Sequence, residues 1–147
     1  MSKVILYQAF AKDTFPITSA TIVTGWLPGQ GMQLTSTGEY AEIGSVDNVM
    51  FIALDDEDEV KTPPSASIVT GVYGSGTKFI IDHSEEVAAS NAARAYASNV
   101  ESASMNQLLY MGTDGKWTTT ASGSVKGQLF QIPSSDNSYG LGVILRF

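Results

Sequence analysis

Asp55-Asp56-Glu57-Asp58-Glu59 is the densest set of cation-ligand candidates in this chain. A calcium loop spaces its carboxylates at alternate positions around a central glycine. The acidic run has neither feature and reads as a solvated loop that aids solubility. His83 follows Asp82 and lies among serines, types that could pair a base with a nucleophile. It is the only histidine, and no Gly-x-Ser-x-Gly elbow accompanies it. Trp26 and Trp117 could offer flat platforms to a sugar, but such residues more often anchor a core or an interface. Gly112-Thr113-Asp114-Gly115 shares only its glycines with a phosphate loop, because no Lys-Ser/Thr follows into a helix. The chain has no cysteine, hence no thiolate metal site and no disulfide. No catalytic residue, metal ligand or cofactor-binding residue is assigned, no cofactor is expected, and the chain is expected not to be an enzyme.

The formal charge of −7 argues against a nucleic-acid partner, since phosphate binding needs clustered lysine and arginine. No run approaches the roughly 18 apolar residues of a membrane helix. The N-terminal Met-Ser-Lys-Val-Ile-Leu-Tyr-Gln-Ala-Phe meets polar residues without a small-residue cleavage site, so no signal peptide is read and synthesis in a cytoplasm is expected.

The elements that must position any binding surface are short strands. At 147 residues one domain is the default, and 14 glycines favour many turns. Asp114-Gly115 lies between the apolar run 108–111 and the β-prone run 117–120. That arrangement predicts a hairpin with a type I′ turn, which needs positive φ at both central residues. Further strands are expected at 4–10, 20–26, 32–34, 40–43, 49–54, 68–73, 79–81 and 125–132. A closing strand at 139–147 carries Tyr139, Leu141, Val143, Leu145 and Phe147 on one face. Asp82-His83-Ser84-Glu85 has capping-box spacing, and Ala89, Ala92, Ala93, Tyr96 and Val100 form a narrow stripe. One short helix is expected within 84–100.

Ser-Ala-Thr-Ile-Val-Thr-Gly at 19–25 recurs as Ser-Ala-Ser-Ile-Val-Thr-Gly at 65–71. Thr37-Gly38-Glu39-Tyr40 lines up with Asp114-Gly115-Lys116-Trp117, and 45–51 with 124–130, in the same order in both halves. The order predicts a duplicated β unit. The expected organisation is an arm or edge strand at 1–18 and a single β domain at 19–147. Within it lie copy one at 19–54, a linker at 55–64, copy two at 65–132 with a helical insertion at 83–105, and the closing strand. The fold class is mainly β: a small antiparallel β-barrel, β-tulip or sandwich from a duplicated unit with one inserted helix.

Leu109-Tyr110, then Gly115-Lys116-Trp117-Thr118-Thr119-Thr120-Ala121-Ser122-Gly123, then Gly127-Gln128-Leu129 and a closing Gly142-Val143-Ile144-Leu145 form one frame of turn and strand residues. In this frame the chain resembles the head decoration, or capsid cement, proteins of tailed bacteriophages. The likeness spans about 19–147 and is densest after Gln107; it is a frame of turns and strands, not a catalytic signature. Gln128 departs from it, because an aliphatic residue usually follows that glycine, and the helical insertion is longer than usual. The resemblance implies a virion structural protein on the capsid exterior. Its partner would be the phage major capsid protein, whose subunits it would bridge, and it would form a homo-oligomer, trimer favoured. No membrane is implied.

Val4, Leu6, Tyr7, Phe10 and Phe15 precede the first repeat and must bury somewhere. They are the candidate capsid or subunit contacts, with an edge strand of the chain's own domain as the equal alternative. The alternating end of the chain also suits an eight-stranded outer-membrane barrel. Another virion part, such as a tail or fibre protein, is the remaining alternative.

Overall fold

The computed structural model describes residues 3–54, 67–82, 94–132 and 140–147. The fold is mainly β, and among the described residues eleven strands form two antiparallel sheets stacked as a sandwich. The strands are β1 (Lys3–Gln8), β2 (Ala11–Pro16), β3 (Gly31–Leu34), β4 (Ala41–Ile43), β5 (Phe51–Leu54), β6 (Ile68–Tyr73), β7 (Lys78–Asp82), β8 (Leu108–Met111), β9 (Trp117–Thr118), β10 (Gly127–Gln131) and β11 (Leu141–Leu145). The six-stranded sheet runs β1-β7-β11-β10-β8-β9 and the five-stranded sheet runs β2-β6-β5-β3-β4. Neither closes into a barrel. An outer-membrane barrel hides its edges by closing one sheet on itself, so that alternative falls.

Strands β2–β6 and β7–β11 are two units with one connectivity. In each, the first strand is followed across the sheet by the fifth, fourth, second and third. Registers agree as well. Met32 pairs with Phe51 and Leu109 with Gly127; Ala53 pairs with Gly71 and Leu129 with Val143. A parallel bridge joins Ile17 to Ala41 in the first unit and Tyr96 to Trp117 in the second. Duplication is therefore visible in the topology, but over Ala11 to Tyr73 and Lys78 to Leu145, not over the boundaries expected above.

The repeat of 19–25 at 65–71 is a coincidence of sequence. Ser19–Thr24 forms the helix α1, while Ile68–Tyr73 is β6, so the strand expected at 20–26 is corrected. Thr18 Oγ1 accepts the Thr21 N–H at 3.2 Å and starts the helix, and Gly25, at φ +85°, ends it. The same Ile-Val-Thr-Gly at 68–71 is instead flanked by β2 and β5, whose open edges supply backbone partners. Tertiary context overrides the weak preference of a Thr/Val-rich heptad. Of the helix expected within 84–100, residues 83–93 lie outside the described residues. The rest is not α-helical: Trp117 N donates to Ala95 O and Ala97 N to Trp117 O, and only a 3-10 turn follows at Ser98–Ser102. Pairing with β9 consumes the backbone groups a helix would need.

The hairpin at Asp114-Gly115 forms between β8 and β9. Its turn is not type I′, because Gly115 has φ +72° and Asp114 does not lie at positive φ. Gly115 N donates to Gly112 O, and Gly112 N to Lys116 O, which is the three-residue loop with a glycine bulge. The β3–β4 hairpin has the same glycine, Gly38 at φ +73°, and the same bond, Gly38 N to Thr35 O. Here the echo of Thr37-Gly38 in Asp114-Gly115 marks equivalent positions.

The two cores are filled by different residues. Ala41, Phe51 and Gly71 in the first unit stand where Trp117, Gly127 and Val143 stand in the second. A Cβ on Gly71 would lie 2.2 Å from the Phe51 ring, and one on Gly127 2.8 Å from the Trp117 ring. The large ring sits on β5 in the first unit and on β9 in the second, and in each a glycine facing it leaves the room it needs. Phe15 stacks on Phe51 at 4.4 Å between ring centroids in the first core.

Strands β1 and β2 run beside β7 and β6 in nearly continuous register, so residues 3–16 brace both sheets. Of the two expectations for the N-terminus, the edge strand is what forms. The outer edge of β2 is blunted. Ile17 N bonds Ser67 O, so by alternation Lys12, Thr14 and Pro16 turn their backbone groups outward. Pro16 has no N–H to offer, and Asp13 Oδ1 already accepts from Thr14 N at 2.8 Å. Exchanging both controls, Asp13→Val with Pro16→Thr, is expected to make the chain self-associate by edge pairing. Light scattering during a thermal ramp checks this, and an onset unchanged from the parent would count against edge protection.

Candidate interaction surface

Alternation along the six-stranded sheet sends Val4, Leu6, Phe79, Ile81, Leu141, Val143 and Leu145 inward. Ile5, Tyr7, Lys78, Ile80, Ile144 and Phe130 therefore lie on the opposite face, where Ile80 is buried. There the Lys78 ammonium sits 4.6 Å from the Phe130 ring centroid and 5.7 Å from that of Tyr7, with the two rings 6.4 Å apart. Tyr7 is 58% exposed. Phe10, 77% exposed, lies over Gly74 at the crossing from β1 to β2, and its N–H is held by Thr77 Oγ1 at 3.2 Å. Two aromatic side chains thus stand in solvent on backbone fixed by neighbouring strands. Such side chains bring large contact area at low entropic cost.

The other N-terminal candidates are spent within the chain. Val4 is buried, Leu6 packs against the main core, and Phe15 is half-buried on Phe51. Of the five residues proposed as contacts, the fold leaves Tyr7 and Phe10 presented outward. Both tryptophans are interior. Trp117 Nε1 donates to Gly29 O at 3.0 Å and ties the two units, whereas the buried Trp26 Nε1 has no hydrogen-bond partner among the described residues. Residues 55–59 and His83 lie outside the described residues. Among the described residues, no group of three or more His, Cys, Asp or Glu side chains could hold a metal ion.

A further joint between the units was not legible in the sequence. The β8–β9 hairpin tip plugs onto the start of β3: Gly31 N donates to Gly115 O at 2.7 Å, Gln30 Nε2 to Asp114 O at 2.7 Å, and Val46 N to Gly112 O at 3.2 Å. Beside it Asp47 Oδ1 accepts from the Ser124 N–H at 2.9 Å and its hydroxyl at 2.7 Å, with Lys126 Nζ at 3.4 Å. The Ser124 hydrogen bonds, chiefly, and the Lys126 charge hold the Asp47 carboxyl below its ordinary pKa. Ile52, Leu54 and Val72, on the face of the five-stranded sheet toward the joint, share one core with Met111 and Trp117.

Neither a scan against models of known protein families nor a search of curated proteins finds a match to this chain.

Proposed function

We propose that this chain is a virion structural protein that decorates the outside of an assembled phage head and bridges major capsid subunits. The observation that carries the reading is the exposed pair Tyr7 and Phe10, held on a ribbon braced by both sheets. Alongside it stands the resemblance of the β8–β11 frame to capsid cement proteins. A rigid, duplicated β body suits a protein that acts by binding and performs no turnover. Contact with two or more capsid proteins at once adds avidity, because a lone subunit presents only part of the site.

The N-terminal strands belong to the body, so deleting 1–15 would remove two strands and core residues with them. Co-sedimentation is the cleaner test. The purified chain is expected to pellet with intact heads and to stay in the supernatant with dissociated capsid subunits. Absence from the head pellet would overturn the reading, and tight one-to-one binding to isolated subunits would overturn the bridging.

A further inference from the structure

The duplication makes one joint twice, but the chain completes it once. In the first unit Gln30 closes its own loop, with Oε1 accepting Leu27 N–H at 2.9 Å, and its Nε2 is left to receive the hairpin carbonyl of Asp114. Gln107 stands at the same place in the second unit. Its Oε1 accepts Ser104 N–H at 3.0 Å, and the flanking ladder is the same: Ala53 N to Gln30 O has its counterpart in Leu129 N to Gln107 O. Gly29 N to Ala53 O likewise has its counterpart in Asn106 N to Leu129 O. Gln107 Nε2, however, has no partner among the described residues, and neighbouring Leu108 and Met105 are exposed.

The plug shows the same asymmetry. The second unit's tip is docked: a Cβ on Gly115 would lie 2.6 Å from Gly31 O. On the equivalent Gly38 of the β3–β4 hairpin it would meet nothing within 4 Å, and residues 36–40 are exposed. The apolar face follows suit. Ile52, Leu54 and Val72 are covered by the second unit, while their counterparts Gln128, Phe130 and Ile144 are only partly buried.

We propose that the open receptor around Gln107 takes the free β3–β4 hairpin tip of a second copy of this chain, so that copies join head to tail through the joint that already holds the two units together. The occupant is a second copy because the matching plug is on the same chain and unused. A joint of two different surfaces is heterologous and closes into a ring or extends, according to its rotation. The Thr37 carbonyl, at the position of Asp114, would accept from Gln107 Nε2.

Sedimentation equilibrium over a concentration series tests this. The mass of the parent chain is expected to rise above that of one copy. Gln107→Glu keeps the oxygen that closes the loop and replaces the donor by an acceptor, so association should weaken at least about tenfold with unchanged stability. Thr37→Glu, on the plug, should do the same. Mixed one to one, the two variants should form a dimer through the one joint left intact, which no self-complementary interface would allow. A parent that stays a single copy at every concentration, a Gln107→Glu chain that associates like the parent, or a mixture that gains no mass would each overturn the proposal.

Discussion

Trp117→Ala is expected to lower the free energy of unfolding by about 3–5 kcal/mol, a large share of the roughly 5–15 kcal/mol that holds a domain folded. Trp117 is fully buried, and its ring fills the space that Gly127 leaves open. Its backbone is paired to Tyr96 and its Nε1–H satisfies Gly29 O in the other unit. Truncation empties the second core and strands a carbonyl across the joint, and cavity and desolvation costs add. Trp117→Phe separates the two parts, because it keeps most of the volume and loses only the hydrogen bond, so about 1–3 kcal/mol is expected. Trp26→Phe is the internal control. Its indole N–H is buried without a partner among the described residues, so removing that group should cost far less than the same change at Trp117. Urea denaturation followed by circular dichroism reads all three. A Trp117→Ala midpoint within error of the parent would refute the keystone role.

The parts of the fold that the sequence makes legible are those where one face of a strand is wet and the other dry. β8 and β10 alternate, β11 is buried at every position but Ile144 and is legible by its apolar run, their turns carry Asp-Gly or polar clusters, and all three lie where pattern and turn chemistry place them. β2 escapes because Ala-Lys-Asp-Thr-Phe-Pro has little to bury: it is a blunted edge whose pairing is by backbone to β6. The heptad at 19–25 misleads because its residues suit either state, and Thr18 with its hydroxyl decides for helix. Duplication is legible at the hairpin glycines, where backbone geometry admits few residues. It is hidden in the core, where Ala41, Phe51 and Gly71 stand opposite Trp117, Gly127 and Val143, since packing constrains how neighbouring sizes fit and not which residues supply them. Gln30 and Gln107 are one letter each among unlike neighbours, and only the shared bond pattern marks them as a pair.

Tyr7→Ala combined with Phe10→Ala is expected to weaken binding to heads by about 100-fold, since two aromatic anchors that each cost about 1.4 kcal/mol on truncation sum to about 2.7 kcal/mol. Both side chains are mostly exposed, so folding stability should change little beyond the lost contact of Lys78 with the Tyr7 ring. Phe130 remains to hold Lys78. The consequence for the particle follows from linkage. A ligand present at about 100 times its Kd adds about 2.7 kcal/mol per site to the lattice it binds. The same concentration of the double variant sits near its own Kd and adds only about 0.4 kcal/mol per site. Heads decorated with the parent chain should therefore outlast bare heads on heating. Heads mixed with an equal amount of the variant should rupture nearly as bare ones do, and raising the variant about 100-fold should restore the protection. Rupture temperature against free protein concentration, read by release of packaged DNA, gives both curves. Superimposable curves would move the contact away from Tyr7 and Phe10. A parent curve that never rises above bare heads would remove the cement role itself, because no protein that binds the intact lattice in preference to its parts can fail to stabilise it.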